Sequence, residues 1–192
     1  MRSTYANCKN LRGSIECGPN VIDLSGAFDA CQYLNCNPIC GENVQFMEYT
    51  YHNCTNLTGT PVCGNKVTNM YKAYQHCYYL NNPAIAGESV LNMADAYYNC
   101  KNVARGNAYF YSPNIVNTWR CFYNKNTSRR LNIYVPEHST TNVVVHYNIA
   151  ELSLTGAAIT WTTNNICSYN TSSNIYIYPV ANVAAARELN GD

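Results

Sequence analysis

Apolar side chains return every 23 residues along the first 125 positions of this chain. Cys8, Cys31, Cys54, Cys77 and Cys100 mark the period. Three residues before each stands an aromatic ring: Tyr5, Phe28, Tyr51, Tyr74 and Tyr97. Three residues after stands Leu11, Leu34, Leu57, Leu80 or Val103. Further columns hold Gly18, Gly41, Gly64 and Gly87, then Val21, Val44, Val67 and Val90, then Leu24, Met47, Met70 and Met93. A fixed period of this length marks stacked repeats. The unit is too short for paired helices. The aromatic-x-x-Cys-x-x-Leu spacing predicts a short helical or 3₁₀ turn with one apolar side. Ile15 with Cys17, Ile39-Cys40 and Val62-Cys63 predict short strands in a parallel ladder, and the glycine column predicts positive-φ turns. The fifth unit loosens: Phe110 stands in the glycine column, and about two residues are inserted near Pro113, Ile115 and Trp119. A degenerate sixth unit begins at Cys121-Phe122, as terminal repeats are atypical.

Beyond Arg130 the period changes. Leu131–Val135, Asn142–Ile149, Ala157–Thr162 and Asn174–Val180 are β-branched and aromatic runs between turn residues, which predict strands. Ala181–Asn190 predicts a short helix ended at Gly191. The expected architecture is a repeat solenoid over 1–125, with short parallel strands and short helical turns, closed by a small β-rich capping domain over 126–192.

Val67-Thr68-Asn69-Met70, followed by Ala73-Tyr74-Gln75-His76-Cys77-Tyr78-Tyr79-Leu80, resembles the BspA-like leucine-rich repeats in its Val, Met, aromatic, Cys and Leu columns. The resemblance covers about residues 3 to 124. It departs in the strand region, where the family's leucine pattern is reduced to one apolar residue plus Cys. It implies a leucine-rich-repeat solenoid used for binding on bacterial or protist surfaces and on phage particles. The block Asn126–Pro136 looks like the C-terminal cap of such proteins from gut bacteria and their phages.

Composition narrows the function classes. The net charge is +1 and only 12% of residues are charged, whereas Asn occurs 29 times and Tyr 18. A near-neutral chain lacks the basic patch that nucleic acid or an anionic membrane surface selects. No apolar run reaches transmembrane length, and no signal peptide is seen at the N-terminus. The Cys columns read as small buried hydrophobes, because in-register side chains run parallel and do not converge into disulfides. On that reading Cys54→Ser buries an unpaired hydroxyl and costs about 1–3 kcal/mol. Cys36 and Cys40 are the one close pair, with no second pair to complete a metal site, so no metal or cofactor is expected. His52 and His76 sit one position out of register and form no column. No nucleophile elbow, zinc motif or phosphate loop occurs. Carboxylates are scattered, and nothing brings a pair such as Glu16 and Asp29 together. The chain is therefore read as non-enzymatic. Four Asn-x-Ser/Thr sequons, at Asn53, Asn56, Asn126 and Asn170, are expected to carry no glycan.

Two surfaces are candidates for function. Tyr33, Tyr49, Tyr71, Tyr78, Tyr79 and Tyr98 fall outside the core columns. Tyr33 and Tyr79 alternate with Asn10, Asn56 and Asn102 in one column, a ridge of the Tyr/Asn mix that binding surfaces use. The candidate ligand-binding residues are Tyr33, Asn56, Tyr78, Tyr79, Tyr98 and Asn102. Two bland readings compete: AT-rich codon usage, and Asn ladders that tie stacked units together. The second surface is the first unit, where Tyr5, Leu11 and Ile15 would be left open. That end is expected either to dock on another protein chain or to continue a longer one. The expected function is recognition or adhesion, displayed on a phage particle (as in a tail fibre) or an extracellular bacterial surface, with a host glycan or protein as receptor and a homo-oligomer as one possible assembly. The rival is a structural virion component, a capsid decoration or tail protein, docked through the open N-terminal unit.

Overall fold

The computed structural model describes residues 1–81, 83–103, 106–123, 131–136, 160–161, 167–168, 175–180 and 183–191. Within them, each 23-residue unit lies against the next in register. Single parallel bridges join Asp23 to Phe46, Phe46 to Asn69, Asn69 to Asn92, and Asn92 to Asn117. The last offset is 25, which absorbs the two-residue insertion. The column rings of Tyr5, Phe28, Tyr51, Tyr74, Tyr97 and Phe122 stack with centroids 5.2–5.6 Å apart and planes within 13° of parallel. Around them one core collects the Leu, Val, Met and Cys columns.

The segment expected to be helical is instead a run of tight turns. The N–H groups of Leu24, Gly26, Phe28 and Ala30 donate to the Phe46, Glu48, Thr50 and His52 carbonyls of the next unit. The intervening N–H groups of Ala27, Asp29 and Cys31 donate back three residues, to Leu24, Gly26 and Phe28. This alternation puts a left-handed residue five and one positions before each column Cys: Gly26 and Ala30, Tyr49 and Asn53, Lys72 and His76, Asp95 and Asn99. A positive φ every four residues is incompatible with a right-handed helix. Asn tolerates that conformation better than most residues, which accounts for Asn7, Asn53 and Asn99 in this one place.

Strands are also scarcer than expected. The positions after Ile15, Ile39 and Val62 form none; β1 (Ala84–Ala86) is the first. Counting by 23 from Ile15 gives Pro38, Pro61 and Ala84. Proline has no N–H to give a ladder, so pairing starts where alanine replaces it. Column tyrosine hydroxyls bond this segment in the proline units and in β1 alike. The Tyr51 hydroxyl accepts from the Ile39 N–H at 2.9 Å and donates to the Ile39 carbonyl at 3.1 Å. Tyr74 donates to the Val62 carbonyl at 2.6 Å and Tyr97 to that of Ile85 at 3.1 Å.

From β1 onward a sheet does form. β2 (Gly106–Phe110), β3 (Leu131–Pro136), β4 (Thr160–Trp161), β5 (Cys167–Ser168) and β6 (Ile175–Val180) give the order β1-β2-β3-β6-β5-β4. The first four in that order are parallel and the last two pairings antiparallel. The β2–β3 ladder runs directly across position 125/126. Ala86 pairs with Phe110, so Tyr111, not Phe110, occupies the place of the column glycine. Helix α1 (Val183–Asn190) ends at Gly191, whose φ is +83°. It packs back on the parallel strands: Arg187 donates to Glu88 at 2.6 Å and lies 4.6 Å over the Tyr111 ring. The strand expected at 142–149, and most of the one expected at 157–162, lie outside the described residues.

The glycine column serves close approach, since Gly18, Gly41, Gly64 and Gly87 have ordinary φ. A Cβ on Gly87 would strike the Gly64 carbonyl oxygen; one on Gly41 would stand 2.8 Å from the Cys17 sulfur. One on Gly18 would meet nothing. Gly87→Ala is therefore expected to lose about 1–3 kcal/mol through overpacking. Gly18→Ala should melt like the parent, and equal melting of the two variants would refute the close-packed column.

The column cysteines are not mere apolar filler. Cys31, Cys54, Cys77 and Cys100 donate their thiols to the Tyr5, Phe28, Tyr51 and Tyr74 carbonyls of the preceding unit, at 2.8–3.0 Å. The hydroxyl of Cys54→Ser would meet the Phe28 carbonyl, so the penalty expected for an unpaired group does not apply. The cysteines from Cys8 to Cys121 are free thiols.

The bridge column has its own logic. Asp23, Asn69, Asn92 and Asn117 accept, through Oδ1, the N–H two residues on (Ser25, Tyr71, Ala94, Trp119) at 2.7–3.0 Å. These Asx turns fix the chain's entry into each run of turns. Phe46 occupies the same position without the acceptor and is 38% exposed. Phe46→Asn is expected to raise stability by about 0.5–1 kcal/mol, read as a higher urea midpoint.

Candidate functional site

The left-handed position five residues before each Cys is the one that glycine suits, and Gly26 fills it once. In the following units it holds Tyr49, Lys72, Asp95 and Arg120, with φ between +47° and +56°. Each non-glycine residue there carries a strain of about 1–2 kcal/mol. Strained backbone of this kind collects at functional sites. The four side chains lie along one strip. Lys72 Nζ sits 5.4 Å from the Tyr49 ring centre and 5.0 Å from that of Tyr71. Arg120 donates through Nε and Nη2 to the two carboxylate oxygens of Asp95, both at 2.9 Å. The Asp95 side chain is 3% exposed and that of Arg120 40%, so the bidentate contact joins a buried carboxylate to a guanidinium with an open side. The same guanidinium lies 5.2 Å from the Tyr98 ring and 5.8 Å from Trp119.

Beside these run more rings. Tyr49 meets Tyr71 and His52 edge-on, His52 lies 6.3 Å from His76, and His76 meets Tyr78 and Tyr98. Tyr98 stacks on Tyr123 at 5.0 Å. The histidines that form no column in sequence are thus neighbours in space, one register position apart on adjacent units. His52 Nδ1 lies 2.9 Å from Asp29 Oδ1. Burial, then the nearby His52 and Lys72, lower His76 below its ordinary 6.5, so it is neutral at pH 7.

The residues singled out from sequence separate into groups. Tyr78 and Tyr98 join the strip through His76. Tyr33 and Tyr79 are exposed, at 47% and 55%. Tyr33 carries Arg12 over its ring at 5.1 Å. Asn56 and Asn102 are half-buried, and Asn56 gives its amide to the Gln32 carbonyl of the preceding unit at 2.7 Å. That contact is an inter-unit tie. Tyr5, which its column assigns to the core, is 39% exposed, while Leu11 and Ile15 are half-buried against the core. Lys72, Asp95, Trp119, Arg120 and Tyr123 were not singled out. The available signal was the recurrence of non-glycine residues at the Gly26 position.

The chain matches no protein-family model, no curated protein and no solved structure.

Chemically the strip offers ring faces and paired charges. Among the described residues, no group of three His, Cys, Asp or Glu is placed to hold a metal ion, and no helix is long and apolar enough to cross a membrane. Burial pushes the Cys31 and Cys40 thiols up to about 11, and raises those of Cys54, Cys63, Cys77, Cys100 and Cys121 further. Protonated thiols are poor nucleophiles.

Proposed function

We propose that the chain is a short solenoid of the leucine-rich-repeat type, with a β-rich cap over 126–192, acting as a non-enzymatic recognition module. On this reading it is displayed on a phage particle or bacterial surface and binds a host glycan or protein. One observation carries it: strained, non-glycine Tyr49, Lys72, Asp95 and Arg120 line up among Tyr71, Tyr98 and Trp119 at a position where glycine would be more stable. Rigid aromatic rings with paired charges give contact area at small entropic cost. Fold type alone does not carry the reading.

The structural reading has its own support. The ring stack is open at Tyr5, and Cys8, whose column equivalents are buried, is exposed. Another protein chain docked there, as in a capsid decoration or tail protein, or further units of a longer chain would complete the stack. A side-chain-resolution structure of the native assembly tests both. Recognition requires the Tyr49-to-Trp119 strip to face solvent. A strip buried against a shell or tube protein overturns recognition and leaves the structural role.

A further inference from the structure

We propose that the groove between Tyr71 and Trp119 is a binding site for a neutral saccharide; this inference rests on the recognition reading above and names the ligand class for one end of its strip. The groove is a shallow, broadly open depression of about 680 Å³, lined by Tyr71, Asp95, Val116, Asn117, Trp119 and Arg120. Its size falls in the range of ligand clefts. Trp119 is 48% exposed and Val116 64%. With Tyr71 they give the lining apolar surface, and Asp95, Asn117 and Arg120 give it polar groups.

The charge arrangement selects the ligand. Asp95 and Arg120 neutralise each other through two 2.9 Å bonds. An anion would have to compete with Asp95 for the guanidinium, and a cation would have to displace Arg120 from a buried carboxylate. The first exchange leaves the buried Asp95 carboxylate unpaired, and the second gives up a two-bond contact to it. A purely apolar ligand would cover Asn117 and the ion pair without replacing their water. A pyranose ring meets both demands, with a face of C–H groups for the indole or phenol and a rim of hydroxyls for the polar groups. A nucleobase would also stack, but its phosphates would have to draw Lys72 off the Tyr49 and Tyr71 rings, while Arg120 is already paired with Asp95.

The geometry that bears the proposal also fixes the backbone. Asp95 and Arg120 both sit in the left-handed region, at +55° and +47°. Asn117 Oδ1 accepts the backbone N–H of Trp119 at 3.0 Å, which fixes the chain at the groove.

The test uses the full chain with Trp161→Phe, which leaves Trp119 as the single tryptophan. Its fluorescence is titrated with soluble gluco-, manno-, galacto- and N-acetylglucosamine oligomers, with sialylated and sulfated oligomers and single-stranded oligonucleotides alongside. A neutral oligomer should shift the emission saturably. In a parallel calorimetric titration, Trp119→Ala should weaken that oligomer at least tenfold, and Trp119→Phe should restore part of the loss. Far-UV spectra and melts of both variants establish that they fold. The assignment is overturned if no neutral oligomer binds up to about 10 mM, a range below which even weak sites saturate. It is equally overturned if only charged oligomers or oligonucleotides bind, or if Tyr79→Ala removes binding while Trp119→Ala keeps it. None of these results touches the recognition reading, which falls only if the strip is buried in the native assembly.

Discussion

Replacing Tyr74 by alanine is expected to lower the stability of the fold by about 3–5 kcal/mol, the cost of deleting a fully buried aromatic side chain. The ring is fully buried and stacks on Tyr51 at 5.5 Å and on Tyr97 at 5.6 Å. Its removal therefore breaks two ring contacts and opens a cavity between neighbouring units. The hydroxyl adds a separable part. It is the donor to the Val62 carbonyl, next to a proline position where no strand forms. Tyr74→Phe keeps the stack and is expected to lose about 1–2 kcal/mol by stranding that carbonyl. Tyr5→Ala, at the exposed end of the same ring column, should lose much less. Urea unfolding of the three variants reads the order. Equal losses for Tyr5→Ala and Tyr74→Ala would refute the ring column as the main support.

Alkaline pH is expected to unfold the protein from above about pH 9, with loss continuing past pH 11. The buried thiols have their folded pKa raised from the ordinary 9.0, first by desolvation; Cys31 and Cys40 reach about 11, and Cys54, Cys63, Cys77, Cys100 and Cys121 go higher. Between the unfolded and folded values the native state holds more protons than the unfolded chain. Stability then falls as pH rises. The stabilisation is complete below pH 9 and lost progressively through pH 11. Tyr51, Tyr74 and Tyr97, raised above 10 by burial, act in the same direction. Circular dichroism against pH, in the presence of reductant, measures this. A native signal unchanged to pH 11.5 would contradict the buried-thiol column.

Two of the findings are corrections with one physical origin. A spacing of three between apolar residues is shared by a helical turn and by a chain of tight turns that alternate local and inter-unit bonds. Side-chain pattern alone does not separate them; backbone φ at Ala30, Tyr49 and Lys72 does. Likewise a conserved spacing of glycines suggests positive φ, yet Gly64 and Gly87 stand where the neighbouring unit's backbone leaves no room for a Cβ.

The period of 23, the membership of the aromatic, Cys, Leu, Val and Met columns, and the β-type runs at 131–135 and 174–180 were legible because burial repeats with the backbone and apolar residues follow burial. So was the exposure of Tyr33 and Tyr79, which fall outside those columns. The place of proline against the ladder is legible too, since Pro38 and Pro61 stand 23 and 46 residues after Ile15. The Asp95–Arg120 pair, the approach of His52 to His76 and the Trp119 groove were decided by tertiary structure. Asp95 and Arg120 share a column only once the two-residue insertion is placed, and His52 and His76 meet from unequal positions on adjacent units. Periodicity determines what is buried; the stacking register determines which of the remaining side chains meet.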